Sequence, residues 1–383
     1  MNNKIAVYVH WPFCKSKCPY CDFNSHVAHS YDHNQWLEAY LKEIEYFKSY
    51  LENKEIISIF FGGGTPSLMA PFIPEKIINK LAEISTLSKN AEITLEANPT
   101  SFETNKFKDF KIAGINRVSI GVQALNEADL KFLGREHNSN DAINAIKEAS
   151  KIFDRYSFDL IYARPKQTIE FWQKELNEAL PLVRDHLSIY QLTIEKGTKF
   201  YSDYMNKKFV MPTSDLQDDF YEVTQEIMDK HNLPAYEVSN HAKKGLESIH
   251  NLSYWRYYDY LGIGPGAHSR ITENNNIHAL MMLHSPNAWL KQVTEKGNGI
   301  QQNNILTDQE IVYEMVMMGV RIKEELYFEN IQAKIKSDLN KFLNKDKIKI
   351  LEKQSLLVSS DKGFTITNNG IKVINSAVNF ICN

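Results

Sequence analysis

Three of the four cysteines stand within eight residues, as Cys14-Lys-Ser-Lys-Cys18-Pro-Tyr-Cys21, and the fourth, Cys382, lies at the far end of the chain. A cube of four irons and four sulfurs is usually held by four thiolates. A loop that offers three leaves one iron without a protein ligand, free to bind a small molecule and act on it. Structural zinc is the competing reading, but it wants four nitrogen or sulfur ligands, commonly from paired C-x2-C units. Here one such pair exists, Cys18 and Cys21, with His10, His26 or His29 available as a fourth ligand. A disulfide framework is disfavoured by an odd cluster with one remote partner. Free thiols for a cluster call for a reducing compartment, so the expected location is cytoplasmic.

The spacing C-x3-C-x2-C, set just after a first strand, resembles the signature of the radical S-adenosylmethionine superfamily. That resemblance implies S-adenosylmethionine, whose amino and carboxylate groups can chelate the open iron. The chemistry would belong to the cofactor, with the protein supplying binding and orientation.

With 383 residues the chain has room for two or three domains, or one large barrel with an appendage. Hydrophobic residues at 43% and charged residues at 24% place it among globular rather than disordered chains. A net charge of −3 gives no global basic field, so no nucleic-acid partner is expected. No apolar run reaches the about 18 residues of a membrane span, so an integral membrane protein is not expected. The opening MNNKIAVYVHWPFC lacks the apolar core of a signal peptide and enters a strand at once.

Positioning the cysteines falls to short apolar runs at residues 5–9, 56–61, 92–96, 117–122, 158–162 and 187–192, with a seventh candidate at 235–238. Their near-continuous Val, Ile, Phe, Leu and Tyr content predicts strands buried on both faces of a parallel sheet. Between the first two runs, Leu37, Tyr40, Leu41, Ile44, Phe47 and Leu51 share one face of a helix predicted over 31–54. Repeated strand–helix units predict an α/β fold, and six of them a partial (β/α)6-type barrel; a doubly wound sheet is the alternative.

A barrel collects its functional residues at the C-terminal ends of its strands. The cysteine loop follows the first run and Gly62-Gly63-Gly64-Thr65-Pro66 the second. Glu96 closes the third, Gln123 closes the fourth, and Asp159 lies within the fifth. The glycine triplet would let backbone approach a ligand, or simply make a tight turn. Glu96 could accept from ribose hydroxyls or an amine. Arg135 could fork onto a carboxylate, or pair on the surface with Glu136 or Glu127.

From about residue 241 the chain becomes rich in Tyr, Trp, Gly and His, and from 305 it turns helical, with a capping box at Thr307 and Glu310. The expected domains are a barrel at 1–240, an aromatic connecting segment at 241–304, and a winged-helix-like domain at 305–383. His250 offers an imidazole to iron, and Tyr254, Trp255, Tyr257 and Tyr258 could stack on a flat macrocycle or simply pack the barrel's open side. His10 and His268 are rival ligands.

Taken in order, Y-x-H-x-P-F-C-x-x-x-C-x-Y-C-D-F, G-G-G-T-P, E-x-N-P, S-x-G-x-Q, L-G-R, D-L-I-Y and H-N-x-x-Y-W resemble the radical S-adenosylmethionine haem chaperones, long grouped with oxygen-independent coproporphyrinogen III oxidase. The resemblance covers essentially the whole chain. It implies that Cys14, Cys18 and Cys21 hold a [4Fe-4S] cluster. It implies that Tyr8, Tyr20, Gly63, Gly64, Thr65, Glu96, Gln123, Arg135 and Asp159 line an S-adenosylmethionine pocket, and that His250 takes part in haem binding. A haem-acceptor protein, an electron-donor protein and a homodimer are further implications. The oxidase carries another cysteine two positions after the third, where this chain has Phe23, and a longer N-terminal extension. Its radical decarboxylation of propionates is therefore the alternative rather than the first reading. One departure stands out: Arg164 and Lys166 occupy positions where relatives show an apolar residue and glycine, adding two cations expected near the pocket mouth.

Overall fold

The computed structural model describes residues 3–382. Eleven strands form one sheet: β1 (Lys4–Trp11), β2 (Glu55–Gly63), β3 (Thr86–Ala97), β4 (Arg117–Gln123), β5 (Arg155–Tyr162), β6 (His186–Gln191), β7 (Asn240–Ala242), β8 (Asp259–Ile263), β9 (His268–Glu273), β10 (Asn276–Met282) and β11 (Ile300–Ile305). Their order across the sheet is β11-β10-β9-β8-β1-β2-β3-β4-β5-β6-β7. Strands β1 to β6 run parallel, as the six strand–helix units predict, and β8 adds a seventh parallel strand on the outer side of β1. The remaining strands are antiparallel extensions at the two edges. One cavity touches Tyr260 of β8, Tyr8 of β1, Ser119 of β4, Asp159 of β5 and Tyr190 of β6. The sheet is therefore curled, with its two ends facing each other across a common interior.

The strands alternate more than their apolar reading suggests. In β4, Val118, Ile120 and Val122 are buried in the main core, while Arg117, Ser119, Gly121 and Gln123 face the interior chamber. Ser157 and Asp159 in β5, and Ser188 and Tyr190 in β6, repeat the period of two. Helices on the outside cover the apolar face. Among them is Ser139–Ile152, which opens with a capping box of Asn138 and Asp141 and buries Ala142, Ala145, Ile146 and Ala149.

Three expectations need correction. The helix over 31–54 breaks at Phe47 into His33–Tyr46 and Lys48–Leu51; the Phe47 N–H reaches both Glu43 O at 3.3 Å and Ile44 O at 3.1 Å as the turn tightens. Residues 235–238 are not a strand. They follow Pro234, which has no N–H to give a ladder, and turn back so that the Tyr236 N–H meets Asn240 O at 3.1 Å; the antiparallel partner of β6 is β7 instead. Residues 241–304 do not merely connect: they supply β8 to β11 and share the main core through Leu261, Ile263, Leu280, Trp289 and Val293. Glu43, buried in the helix His33–Tyr46, fastens this half by accepting from the Gly264 N–H at 2.8 Å, the Gly299 N–H at 2.8 Å and Trp289 Nε1 at 3.0 Å. Burial pushes its carboxyl up to about 7.

Residues from 306 onward bury a second cluster of apolar side chains, including Val316, Ile331, Leu343 and Phe364. Helices surround a small antiparallel sheet of Leu326–Tyr327, Gly363–Ile366 and Leu357–Ser359. The Thr307–Glu310 capping box forms as the sequence indicates. Among the described residues, no helix is long and apolar enough to cross a membrane.

Candidate functional site

The cysteine loop leaves β1 and is closed at its base by a short parallel ladder, Phe13–Cys14 against His26–Val27. A turn inside it brings the Cys21 N–H to Cys18 O at 3.1 Å. Distant segments pin the loop from outside. Asn24 Nδ2 donates to Pro265 O at 3.0 Å and His284 O at 2.9 Å, and the Phe200 N–H donates to Pro19 O at 2.8 Å. All three thiols are unpaired, and each meets a polar neighbour. Thr65 Oγ1 donates to Cys14 Sγ at 3.4 Å, Arg135 Nη1 to Cys18 Sγ at 3.3 Å, and Ser25 Oγ lies 3.7 Å from Cys21 Sγ.

Beside the loop is a cavity of about 400 Å³. It is lined by Cys14, Cys18, Cys21, Tyr20, Gly63, Gly64, Thr65, Glu96, Gln123, Arg135 and Asp159, so the strand-end residues read from the sequence converge on one space. Tyr8 stands apart. It lines a second cavity of about 490 Å³, together with His250, Phe60, Tyr254 and Tyr260. The two cavities share Phe23, Gly63, Glu96, Ser119, Asp159 and Tyr190, and so form one chamber with two ends.

The details revise several single-residue readings. A Cβ at Gly62 would lie 2.8 Å from the Tyr8 ring, one at Gly63 2.5 Å from the His10 ring, and one at Gly64 2.7 Å from Phe13 O. The triplet's first requirement is thus close packing of β2 against the cysteine-bearing segment; Gly63 also has φ 111°, a conformation suited to glycine. Arg135 pairs with neither Glu136 nor Glu127. Its guanidinium turns inward to Cys18 Sγ, to Tyr20 Oη at 3.5 Å, to Asn98 Oδ1 at 2.5 Å and to Gly121 O at 2.7 Å. Arg164 is not at the pocket mouth. It is fully buried against Glu175 and lies 3.2 Å from Asp129, while Lys166 is exposed away from both cavities.

Glu96 accepts from the Gly63 N–H at 3.2 Å. Burial, and then the Asp159 carboxylate, raise its pKa to about 8. Burial raises Asp159 itself to about 6, opposed by Ser188 and by Arg117 and Arg135. The two buried carboxyls thus resist ionising together, which favours one acid able to donate a hydrogen bond beside one carboxylate able to accept.

His250 is placed by the chamber floor. Ser248 caps the helix Ile249–Trp255, and the buried Glu92 accepts from Ser248 Oγ at 3.1 Å and from the His250 N–H at 3.3 Å. Glu92 also pairs with Arg155 at 2.8 Å. Both nitrogens of the His250 ring are engaged: Nδ1 with Ser58 Oγ at 2.9 Å and Nε2 with Tyr254 Oη at 2.9 Å. Burial and then Arg117 push its pKa down to about 3. Sequence reasoning passed over Arg117, Ser188 and Tyr190, and met Ser119 and Asn98 only as members of the S-x-G-x-Q and E-x-N-P motifs, without a role of their own. For the four on strands the signal was the polar residue at every second position of an otherwise apolar run.

The Radical SAM superfamily profile matches residues 8–178, and the HemN C-terminal domain profile matches residues 306–373. The heme chaperone HemW of Bacillus subtilis (strain 168) is 30% identical over 367 residues, spanning 95% of this chain and 96% of that protein. HemW of Escherichia coli (strain K12) is 40% identical over 270 residues, 70% of each. The chain belongs to the HemW family of radical S-adenosylmethionine proteins. A relative from Danio rerio, named radical S-adenosyl methionine domain-containing protein 1, mitochondrial, is 34% identical over 381 residues, covering 97% of this chain and 85% of that one. Among solved structures, coproporphyrinogen III oxidase (HemN) from E. coli has a TM-score of 0.81 at 22% identity, over 98% of this chain and 89% of that one. This likeness shows a common fold.

Membership of the radical S-adenosylmethionine superfamily brings a [4Fe-4S] cluster and S-adenosylmethionine as cofactors, and the residues of this HemW-family chain fit them. Among the described residues, no group of three His, Cys, Asp or Glu side chains converges on a single ion, whereas a cube takes its thiolates on separate irons. Hydroxyl and guanidinium donors aimed at the sulfurs are the surroundings that stabilise thiolate ligands. The adjoining cavity offers an acid, a carboxylate and tightly packed glycine backbone to a zwitterionic, ribose-bearing molecule.

Proposed function

We propose that the protein binds haem and passes it to an acceptor protein, on a scaffold that holds a [4Fe-4S] cluster and S-adenosylmethionine. The observation that carries this reading is the likeness to HemW along nearly the full chain. The two-ended chamber supports it, with thiols at one end and aromatic rings at the other. In this reading Cys14, Cys18 and Cys21 hold the cluster and leave one iron for S-adenosylmethionine. Tyr20, Gly63, Gly64, Thr65, Gln123 and Asp159 surround that molecule, with Tyr8 at its inner end. When bound together, the two cofactors supply one-electron cleavage of a carbon–sulfur bond. Arg135 orients the loop by holding Cys18 and Tyr20 against Asn98 and Gly121. Glu96, its pKa raised by burial, keeps one oxygen on the Gly63 N–H and turns the other to the bound molecule. His250 shapes the floor on which the haem face rests.

The 305–383 segment acts in this reading as a separate domain on the barrel. The protein works in a reducing compartment, receives electrons from a donor protein, and needs no nucleic acid.

The test is an anaerobic haem titration of cluster-reconstituted protein followed by optical absorption, beside a coproporphyrinogen III turnover assay on the same sample. Stoichiometric haem uptake without vinyl product is expected. Vinyl product with no haem uptake would replace this reading with oxidative decarboxylation.

A further inference from the structure

The ring of His250 is held by two hydroxyls of unlike standing. Ser58 Oγ meets Nδ1 at 2.9 Å; Ser58 belongs to β2, is buried and does not line the aromatic cavity. Tyr254 Oη meets Nε2 at 2.9 Å; Tyr254 lines that cavity and is only half-buried. The Nδ1 edge is therefore turned into the wall and the Nε2 edge toward open space. Phe60 keeps the ring in its plane, stacked with centroids 4.8 Å apart. Glu92 holds the His250 N–H from behind, so backbone and ring are both fixed.

Tyr254 follows His250 by one turn of the same helix, on the same face. Its hydroxyl makes no second hydrogen bond among the described residues. Its ring stands edge-on to Tyr260, with centroids 4.7 Å apart. A phenol that swings off Nε2 carries its oxygen into the cavity rather than into the core, so no polar atom is stranded. The other two histidines of the cavity offer no such exchange. His10 meets Tyr8 Oη at 3.0 Å through Nδ1 and Asn24 O at 2.9 Å through Nε2, the latter a carbonyl fixed in the cysteine loop. His268 is exposed, and no hydrogen bond to its ring occurs among the described residues.

We infer that the Tyr254 hydroxyl competes with haem iron for His250 Nε2, and that Ser58 fixes the tautomer on which this competition depends. The inference rests on the haem-carrier reading, with His250 taking part in haem binding as the sequence resemblance implies. With Ser58 accepting, the ring proton stays on Nδ1, and the Nε2 lone pair accepts from the Tyr254 O–H. On loading, that lone pair bonds to iron, a solvent ligand leaves the iron, and the Tyr254 O–H turns to water in the cavity. No proton is lost and no oxidation state changes. On unloading, the hydroxyl takes the nitrogen back. The apparent affinity for haem is thereby lowered to the fraction of protein whose Nε2 is free. For a carrier this weakening has a use, since an acceptor has to draw the haem away.

Ferric haem is titrated into full-length, cluster-reconstituted wild-type, Tyr254→Phe and Ser58→Ala proteins, with absorption and electron paramagnetic resonance spectra recorded at each stage. Tyr254→Phe is expected to tighten haem binding by about 5-fold, the worth of one neutral hydrogen bond, without changing the haem spectrum. Ser58→Ala is expected to weaken binding and to shift the haem g-values, because the Nδ1–H loses the acceptor that orients the ring and raises its basicity. The opposite signs separate this account from simple damage to the cavity, which would weaken both variants. In a His250→Ala background, Tyr254→Phe should leave haem affinity where it was. Weaker or unchanged binding by Tyr254→Phe, or a gain that survives His250→Ala, would overturn the competition alone, provided wild-type protein takes up haem. Ser58→Ala that binds haem as wild type does would overturn the tautomer assignment. Wild-type protein that takes up no haem would overturn the carrier reading and the competition with it.

Discussion

The two ends of the chamber are built on opposite principles. At the cluster end nearly every polar group is already spoken for: Arg135 reaches four partners, Thr65 and Ser25 face sulfurs, and the loop is strapped to residues more than two hundred positions away. At the aromatic end the floor is equally tied down, by Glu92, Ser58 and Tyr254, but the mouth is left open, with Phe23 and His268 unengaged. A site that must hold a resident cofactor gains from complete preorganisation. A site that must load and release cargo needs a rim whose groups have no prior commitment.

The sharpest way to break that comparison is to remove the cluster end altogether. Cys21→Ala should abolish the iron–sulfur absorbance and electron paramagnetic resonance signal while leaving haem uptake within a few-fold of wild type; joint loss of both would show that the ends are one site. Next in size is Arg135→Ala, which strands Asn98, Gly121 O and Cys18 in the interior and should cost about 3 kcal/mol of stability. Arg135→Lys, with one ammonium in place of a fork, should recover little of the loss. Chemical denaturation of both variants checks this, and a midpoint shift confined to the alanine variant would sink the forked-tether account.

A subtler effect is written in pH. Glu96 has its pKa raised by folding, so the folded state binds the proton more tightly than the unfolded chain. The associated stability is fully present below the unfolded value near 4.5 and is lost as pH rises through about 8. Cofactor-free wild-type protein should therefore lose melting temperature between these limits relative to Glu96→Gln, whose curve should be flatter. Parallel curves would mean that Glu96 ionises freely. The smallest change is Tyr254→Phe, which frees one nitrogen of His250 and should cost about 1 kcal/mol without altering the cluster spectrum; a shifted cluster spectrum would reveal coupling between the two ends.

Much of this was legible in the residues themselves. The number and spacing of Cys14, Cys18 and Cys21 pointed to the superfamily to which the chain belongs, and the expectation that functional residues collect at strand ends put Glu96, Gln123 and Asp159 beside one cavity, which the structure shows them lining. What escaped was decided by partners distant in sequence. Nothing near Arg135 indicates that Asn98 and Gly121 will face it, and nothing near Arg164 indicates that Glu175 will neutralise it. The alternation in β4 to β6 was visible but was overridden by the density of apolar residues, which hid a polar-lined interior. Strand β8 was obscured because Tyr260 and Gly262 dilute its run, although it pairs with β1 along five residues.

The clamp made by Asn24 has a consequence for the order in which the molecule is made. The cysteines are made well before residues 265 and 284, whose carbonyls clamp their loop at Asn24. The strand that flanks β1 on its outer side is also synthesised late. A chain of 240 residues carries all three thiols and the contacts from Thr65, Arg135 and Phe200, but lacks the clamp at Asn24. A chain truncated before residue 265 would lose both of those carbonyls and hold its cysteine loop on fewer sides.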